Sequence, residues 1–256
     1  MQVFTVKGKR YAVIFFALIA AVGYLLGIGG VKAVQVFTPT RLLPIYSVET
    51  SKKQIALGIN CAWDNADISD MLKTLEGKQV KATFFVLGEW CDKYPESVVE
   101  IAKAGHEIGS HSNSHTSLDS LGAEAVKKEV TVSMDKIQKL TGQKAELLRP
   151  PSGAYSDTAI QIIYDMGYFP IQWDCDSIDW KGLTEDEIIS RITQKAQNGS
   201  ITLLHSGAKN TAKALPRLIT ELENNGFEIV TVGSMIYRDN FGVDVTGRQY
   251  SLSEQV

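Results

Sequence analysis

From residue 53 onward the chain alternates between two kinds of apolar pattern. Short runs rich in β-branched and aromatic residues fall at 54–59, 82–87, 107–110, 146–148, 168–173, 201–204 and 228–231, and bounded runs of this length predict strands. Between them, apolar residues recur at helical spacing over 68–75, 96–104, 123–140, 158–166, 185–196 and 212–224. Gly105, Gly142, Gly167, Gly199 and Gly226 stand where those helices should stop. Strand, helix, strand repeated in this way predicts an α/β fold whose parallel sheet has right-handed crossovers. Such a sheet closes as a barrel or stays open and doubly wound, and in both cases ligand sites belong at the carboxyl ends of the strands.

One apolar run is of another kind. Residues 11–30 are uncharged and follow Lys7, Lys9 and Arg10. A run of about 20 residues is long enough to cross a ~30 Å hydrocarbon core as a helix, and the basic residues ahead of it put the N-terminus inside. The chain is therefore expected to divide into a short cytoplasmic N-terminus (1–10), a transmembrane anchor or signal segment (11–30), a connector (31–50), an α/β domain (51–238) and a loose polar tail (239–256). The domain would sit on the extracytoplasmic side of the cell membrane, tethered by a single pass. A cleaved signal segment is the alternative, with Val31-Lys32-Ala33 as its small-residue site.

Composition narrows the class. With 44% hydrophobic and 21% charged residues and a net charge of −3, the chain is an ordinary globular domain with an appendage, and nothing points to nucleic acid. Cys61, Cys91 and Cys175 are odd in number and lack metal-type spacing, so they form at most one disulfide.

The residues just past the strand runs are unusual for loops. They are Asn60, Trp63, Asp64 and Asp67; His111 and His115; Arg149 to Tyr155; Asp174, Asp176, Asp179 and Trp180; and His205. On a helical turn, histidines at i, i+4 lie roughly 6 Å apart, whereas on a strand they would be about 13 Å apart. Sharing an ion therefore requires the chain to turn between His111 and His115, and the intervening Ser-Asn-Ser is turn-forming. Two imidazoles and a carboxylate leave an open position for water, which suits catalytic Zn²⁺ or a similar ion. His205, held by a carboxylate, is a candidate proton donor. Arg149, stiffened by two following prolines, is a candidate clamp for a carboxylate of the site.

Ala82-Thr-Phe-Phe-Val, Gly105-His-Glu-Ile-Gly-Ser-His-Ser-Asn-Ser-His, Leu148-Arg-Pro-Pro, Asp176-Ser-Ile-Asp-Trp and Leu203-Leu-His205 resemble the ordered motifs of the polysaccharide deacetylase family, carbohydrate esterase family 4 with its NodB homology domain. The resemblance covers about residues 46–237. Ile45-Tyr-Ser-Val-Glu-Thr50 and Thr211-Ala-Lys-Ala-Leu-Pro216 are similar to its sporulation-associated, membrane-anchored (PdaB-like) branch, which makes a spore-associated form a further alternative. The resemblance implies a distorted (β/α) barrel with about seven parallel strands. It also implies metal-dependent removal of acetyl groups from N-acetylhexosamine units of peptidoglycan or a chitin-like polymer. By position, His111 and His115 would bind the metal, His205 would be the general acid and Asp179 would tune it. Arg149 would orient the base, Trp180 would wall the acetyl pocket, and Tyr155 would lend its backbone N–H to the oxyanion.

The first motif departs from the family. Gly58-Ile-Asn-Cys-Ala-Trp-Asp64 puts Asn60 where the family carries a general-base aspartate, and a side-chain amide has no useful basicity. Asp64 or Asp67 would then supply the metal carboxylate, with Asp67 preferred because the branch has an acid there. A rim of Trp63, Tyr155 and Trp180 would favour a sugar. Two other readings are a glycan-binding or scaffold homologue without turnover and an unrelated zinc hydrolase of a small amide.

Overall fold

The computed structural model describes residues 41–253. The strands are β1 (Ser47–Val48), β2 (Gln54–Ala56), β3 (Gly58–Cys61), β4 (Thr83–Val86), β5 (Glu107–Ser110) and β6 (Leu147–Leu148). There follow β7 (Phe169–Pro170), β8 (Cys175–Asp176), β9 (Ser200–His205), β10 (Glu228–Val230), β11 (Phe241–Val243) and β12 (Arg248–Ser251). Helices α1 (Ile68–Gly77), α2 (Gly88–Lys93), α3 (Pro95–Lys103) and α4 (Ala123–Thr141) come before β6. Helices α5 (Asp157–Asp165), α6 (Glu185–Thr193), α7 (Thr211–Asn224) and α8 (Val232–Met235) come after it.

The strands form one curled mixed sheet, a half-barrel. From β9 through β3, β4, β5, β6 and β7 every pairing is parallel. β3 and β4 are buried at every position, which is why apolar residues on them do not alternate with exposed polar ones; the polar exceptions, Asn60 and Thr83, are buried too. The helices lay apolar stripes on this sheet: Val126, Val130, Met134 and Ile137 recur three and four apart on α4 and are all buried. α6 starts with a complete capping box between Thr184 and Glu187.

The structure departs from the expected purely parallel barrel in three places. The run at 54–59 splits at Leu57, because β2 pairs with β9 and β10 while β3 pairs with β4 and β9. The run at 168–173 ends early, and the chain returns as β8 on the far side of β9. Neither the end of the connector at 45–50 nor the tail at 241–251 is loose. β1 lies antiparallel to β9, and β11 and β12 form a hairpin whose second strand runs parallel to β1. Gly247 permits the turn: its φ is +83°, and a Cβ there would collide with the Tyr46 ring. Buried Gln249 ties the hairpin down by accepting from Tyr237 N at 2.9 Å and donating to Tyr237 O at 2.7 Å.

All three cysteines are buried and free. The membrane segment expected at 11–30 lies outside the described residues; among those described, no helix is long and apolar enough to cross a membrane.

Candidate active site

Left-handed backbone brings the two histidines together. His111 N–H donates to Val86 O at 2.8 Å, fastening the start of the loop to β4. Ser112 and His115 then adopt φ of 71° and 61°, conformations uncommon outside glycine, and the chain doubles back. The imidazoles meet edge-on with ring centroids 5.1 Å apart.

His111 is fully buried, and its Nδ1–H donates to Arg149 O at 2.7 Å, since a carbonyl only accepts. Nε2 therefore carries the lone pair, and the amide nitrogen of Asn60 lies 3.2 Å from it. Arg149 sets the amide's orientation: its Nη1 donates to Asn60 Oδ1 at 3.0 Å, and a guanidinium has nothing that could accept from the amide nitrogen. A closed ring of hydrogen bonds results, from Arg149 to Asn60, from Asn60 to His111, and from His111 to the Arg149 carbonyl. Burial, with His115 nearby, holds the His111 pKa well below the ordinary imidazole value, consistent with a neutral ring.

Arg149 does not clamp a carboxylate. It is completely buried, and besides Asn60 its Nη2 donates to Gln172 O at 3.1 Å and Thr202 O at 3.2 Å. The guanidinium lies 4.1 Å from the centroid of Phe85 and 5.5 Å from that of Trp173. Among the described residues no acid pairs with it, and burial lowers its pKa to about 9. Gly58 makes room for it, because a Cβ there would stand 2.6 Å from Nη2.

The acid half of the site is well built. His205, at the end of β9, donates from Nδ1 to Asp179 Oδ1 at 2.7 Å. The other carboxylate oxygen of Asp179 accepts from His205 N at 2.8 Å and Thr211 Oγ1 at 2.7 Å. Burial acts against the charge of Asp179, but hydrogen bonds from His205 and Thr211 hold its carboxyl below the usual range. Ile178, left-handed at φ 52°, turns the chain so that Asp179 faces β9. Trp63 stacks on the His205 ring with centroids 5.1 Å apart and planes 21° off parallel.

These residues surround one cavity of about 420 Å³, lined by Asn60, His111, His115, Trp63, Trp180 and His205, with Trp173, Asp176 and Ser152 between them. Trp173 was not anticipated from the sequence, because it belongs to a run that read as strand; Ser152 falls in the Arg149-to-Tyr155 stretch past a strand end. Tyr155 is elsewhere. It is buried, its carbonyl accepts from Arg41 Nη2 at 3.4 Å and its hydroxyl meets that of Tyr46 at 3.2 Å, so its side chain is no part of the rim.

The expected metal carboxylate is not brought to the imidazoles. Asp67 precedes α1 at the N-cap position, but its carboxylate turns from the helix and takes Gly207 N–H at 2.9 Å on both oxygens, while Asp64 is exposed and accepts from Ala66 N at 3.1 Å. Neither lines the cavity. Among the described residues no three His, Cys, Asp or Glu side chains are grouped to hold an ion. The donor set is thus two imidazoles, one with its lone pair engaged by Asn60. It falls short of the three protein ligands of a catalytic zinc site.

Residues 47–171 match the polysaccharide deacetylase family model. The chain is 33% identical over 193 residues to YlxY of Bacillus subtilis, an uncharacterized protein, and spans 60% of that protein's length. It is 30% identical to a peptidoglycan-N-acetylglucosamine deacetylase of Bacillus cereus, with 74% of this chain and 70% of that one aligned. A carbohydrate esterase 4 pseudoenzyme from Bacillus anthracis superposes with a TM-score of 0.74 at 31% identity, over 76% of this chain and 69% of that one. A mutant of that pseudoenzyme with restored enzymatic activity superposes equally well, also at 0.74. On these alignments and this fold, the chain belongs to the polysaccharide deacetylase family of carbohydrate esterase 4 hydrolases.

Proposed function

We propose that this chain removes acetyl groups from N-acetylhexosamine units of a cell-wall glycan, peptidoglycan or a chitin-like polymer, with the acid half of its site assembled and the base half not. The observation that carries this reading is the His205–Asp179 pair, 2.7 Å apart, opening on an aromatic-walled cavity. Asp179 accepts Nδ1–H and so aims Nε2 at the cavity, from which a proton would pass to the sugar nitrogen as a water oxygen adds to the acetyl carbon and the carbon–nitrogen bond breaks, releasing acetate and the free amine. Trp63 and Trp180, 45% and 52% exposed, offer flat apolar faces to a sugar ring.

On the other side, Asn60 cannot take a proton. A zinc ion would supply an acidified water and a polarised acetyl oxygen, but His111 and His115 alone do not complete a seat for it. Turnover should therefore lie about 10²–10⁴-fold below that of a homologue with a carboxylate at this position.

The apolar run at 11–30 behind Lys7, Lys9 and Arg10 supports attachment to the cytoplasmic membrane with the domain outside, where such a glycan is found. Protease treatment of intact cells should then degrade the domain.

A second reading, a glycan-binding homologue without turnover, is favoured by the Asn60 amide on His111 and by likeness to a pseudoenzyme. Incubating the full chain with N-acetylated peptidoglycan and measuring acetate separates the two. Slow release that His205→Ala abolishes supports the hydrolase. Retained glycan with no acetate over long incubation supports the binder.

A further inference from the structure

Helix α4 carries three polar side chains that reach the residues around the histidine turn. Ser133 Oγ lies 2.6 Å from Ser110 Oγ, at the end of β5. Lys136 Nζ donates to Asn113 Oδ1 at 2.8 Å. Glu129, one turn before Ser133, takes four hydrogen bonds from three consecutive residues. Its Oε2 accepts from Ser112 Oγ at 2.5 Å and from the Asn113 and Ser114 amides at 2.9 Å each; its Oε1 accepts from Ser114 Oγ at 2.9 Å. Positions 129, 133 and 136 share one face of a helix, so α4 grips the turn along its length.

The three residues that Glu129 holds are the ones between His111 and His115, and the turn contains one left-handed residue at Ser112 and ends on another at His115. Two adjacent amides aimed at one carboxylate oxygen need an anion or another acceptor there; without it the turn loses its reason to double back. We infer that Glu129 is the positioning residue of the imidazole pair, holding the Ser112–Ser114 turn in the form that brings His111 and His115 to one cavity wall. This rests on the proposed function only in taking that wall as part of the working site.

The test uses the full chain and reads the histidine side chains directly by ¹H–¹⁵N correlation, with acetate release from an N-acetylglucosamine pentamer as the second readout. Glu129→Leu removes every acceptor; it should displace the His111 and His115 signals and lower kcat about 10- to 100-fold with KM little changed. Glu129→Gln keeps an oxygen for the Oε2 donors and an N–H for Ser114 Oγ, so it should retain most of both. Ile219→Val, buried on α7, matches a loss of thermal stability without touching the turn and should leave the histidine signals in place. If Glu129→Leu does not fold, Ser112→Ala combined with Ser114→Ala removes two of the four donors and must shift the same signals. Histidine spectra of Glu129→Leu, or of the double serine variant, that match Ile219→Val would overturn the inference. A wild-type chain that releases no acetate would sink the hydrolase reading, while the spectra would still decide the role of Glu129.

Discussion

The amide nitrogen of Asn60 stands 3.2 Å from His111 Nε2 and donates to the lone pair that a metal would need. An aspartate in its place would keep the Arg149 bond through one oxygen and turn a second acceptor toward the imidazole, leaving Nε2 without a donor. It would also give the buried Arg149 a counter-charge. Asn60→Asp should therefore bind Zn²⁺ more tightly by calorimetry and release acetate about 10²–10⁴-fold faster, and a chelator should remove the added rate. If neither quantity changes, position 60 is not what limits this site.

Asp179 holds His205 through Nδ1 and through its backbone N–H. Asp179→Asn can still accept one of those bonds but no longer sets a negative charge behind the ring, so kcat should fall by 10²-fold or more while glycan binding persists. The same carboxylate contributes stability through its depressed pKa. That contribution is present above the unfolded aspartate pKa of about 3.9 and is lost as pH drops through the lower folded value. The Tm gap between wild type and Asp179→Asn should accordingly be widest near neutral pH and narrow below about pH 4 in scanning calorimetry.

The sheet was legible because strands such as Thr83–Val86, buried on both faces, are β-branched and aromatic at every position, and because the helices keep their stripes in register. The break at Leu57 was not, since it marks a change of strand partners and not of composition. The hairpin of β11 and β12 is short, and its place beside β1 depends on Phe241 against Tyr164 and Phe169 and on the bonds of Tyr46 and Gln249, contacts with no local signature. In the site, types and order singled out His111, His115 and His205, which the fold brings to one cavity, and Asp179, which bonds His205. They did not suffice for Asp67, whose direction is decided by the Gly207 amide 140 positions away. The Tyr155 side chain was likewise drawn off the expected rim, by Arg41 over its ring and Tyr46 at its hydroxyl. Glu129 lies on a helix far from any motif, and only the folded turn shows what it holds.

Trp63 stacks on His205 yet leaves 45% of its surface exposed. Little of its packing belongs to the core, so Trp63→Ala should cost little stability. If it serves the glycan, the loss should appear as weaker binding, about 3- to 10-fold in KM for a ring contact worth about 0.5–1.5 kcal/mol. Unchanged KM with a large fall in Tm would make the stack a structural contact instead.

His106 gives the fold a pH dependence separate from the chemistry. It is 3% exposed, Ala82 N–H donates to its Nδ1 at 3.3 Å, and burial, with Lys81 nearby, lowers its pKa from 6.5 to about 4. Between those values the unfolded chain binds a proton that the native ring refuses. The stability involved is complete above pH 6.5 and drains away as pH falls toward 4. The full difference is about 3 kcal/mol. His106→Asn keeps an acceptor for the Ala82 amide but does not titrate, so its Tm should decline less steeply than wild type from pH 6.5 to 4 and run parallel to it below. Parallel curves across the whole range would mean that the native imidazole takes the proton after all.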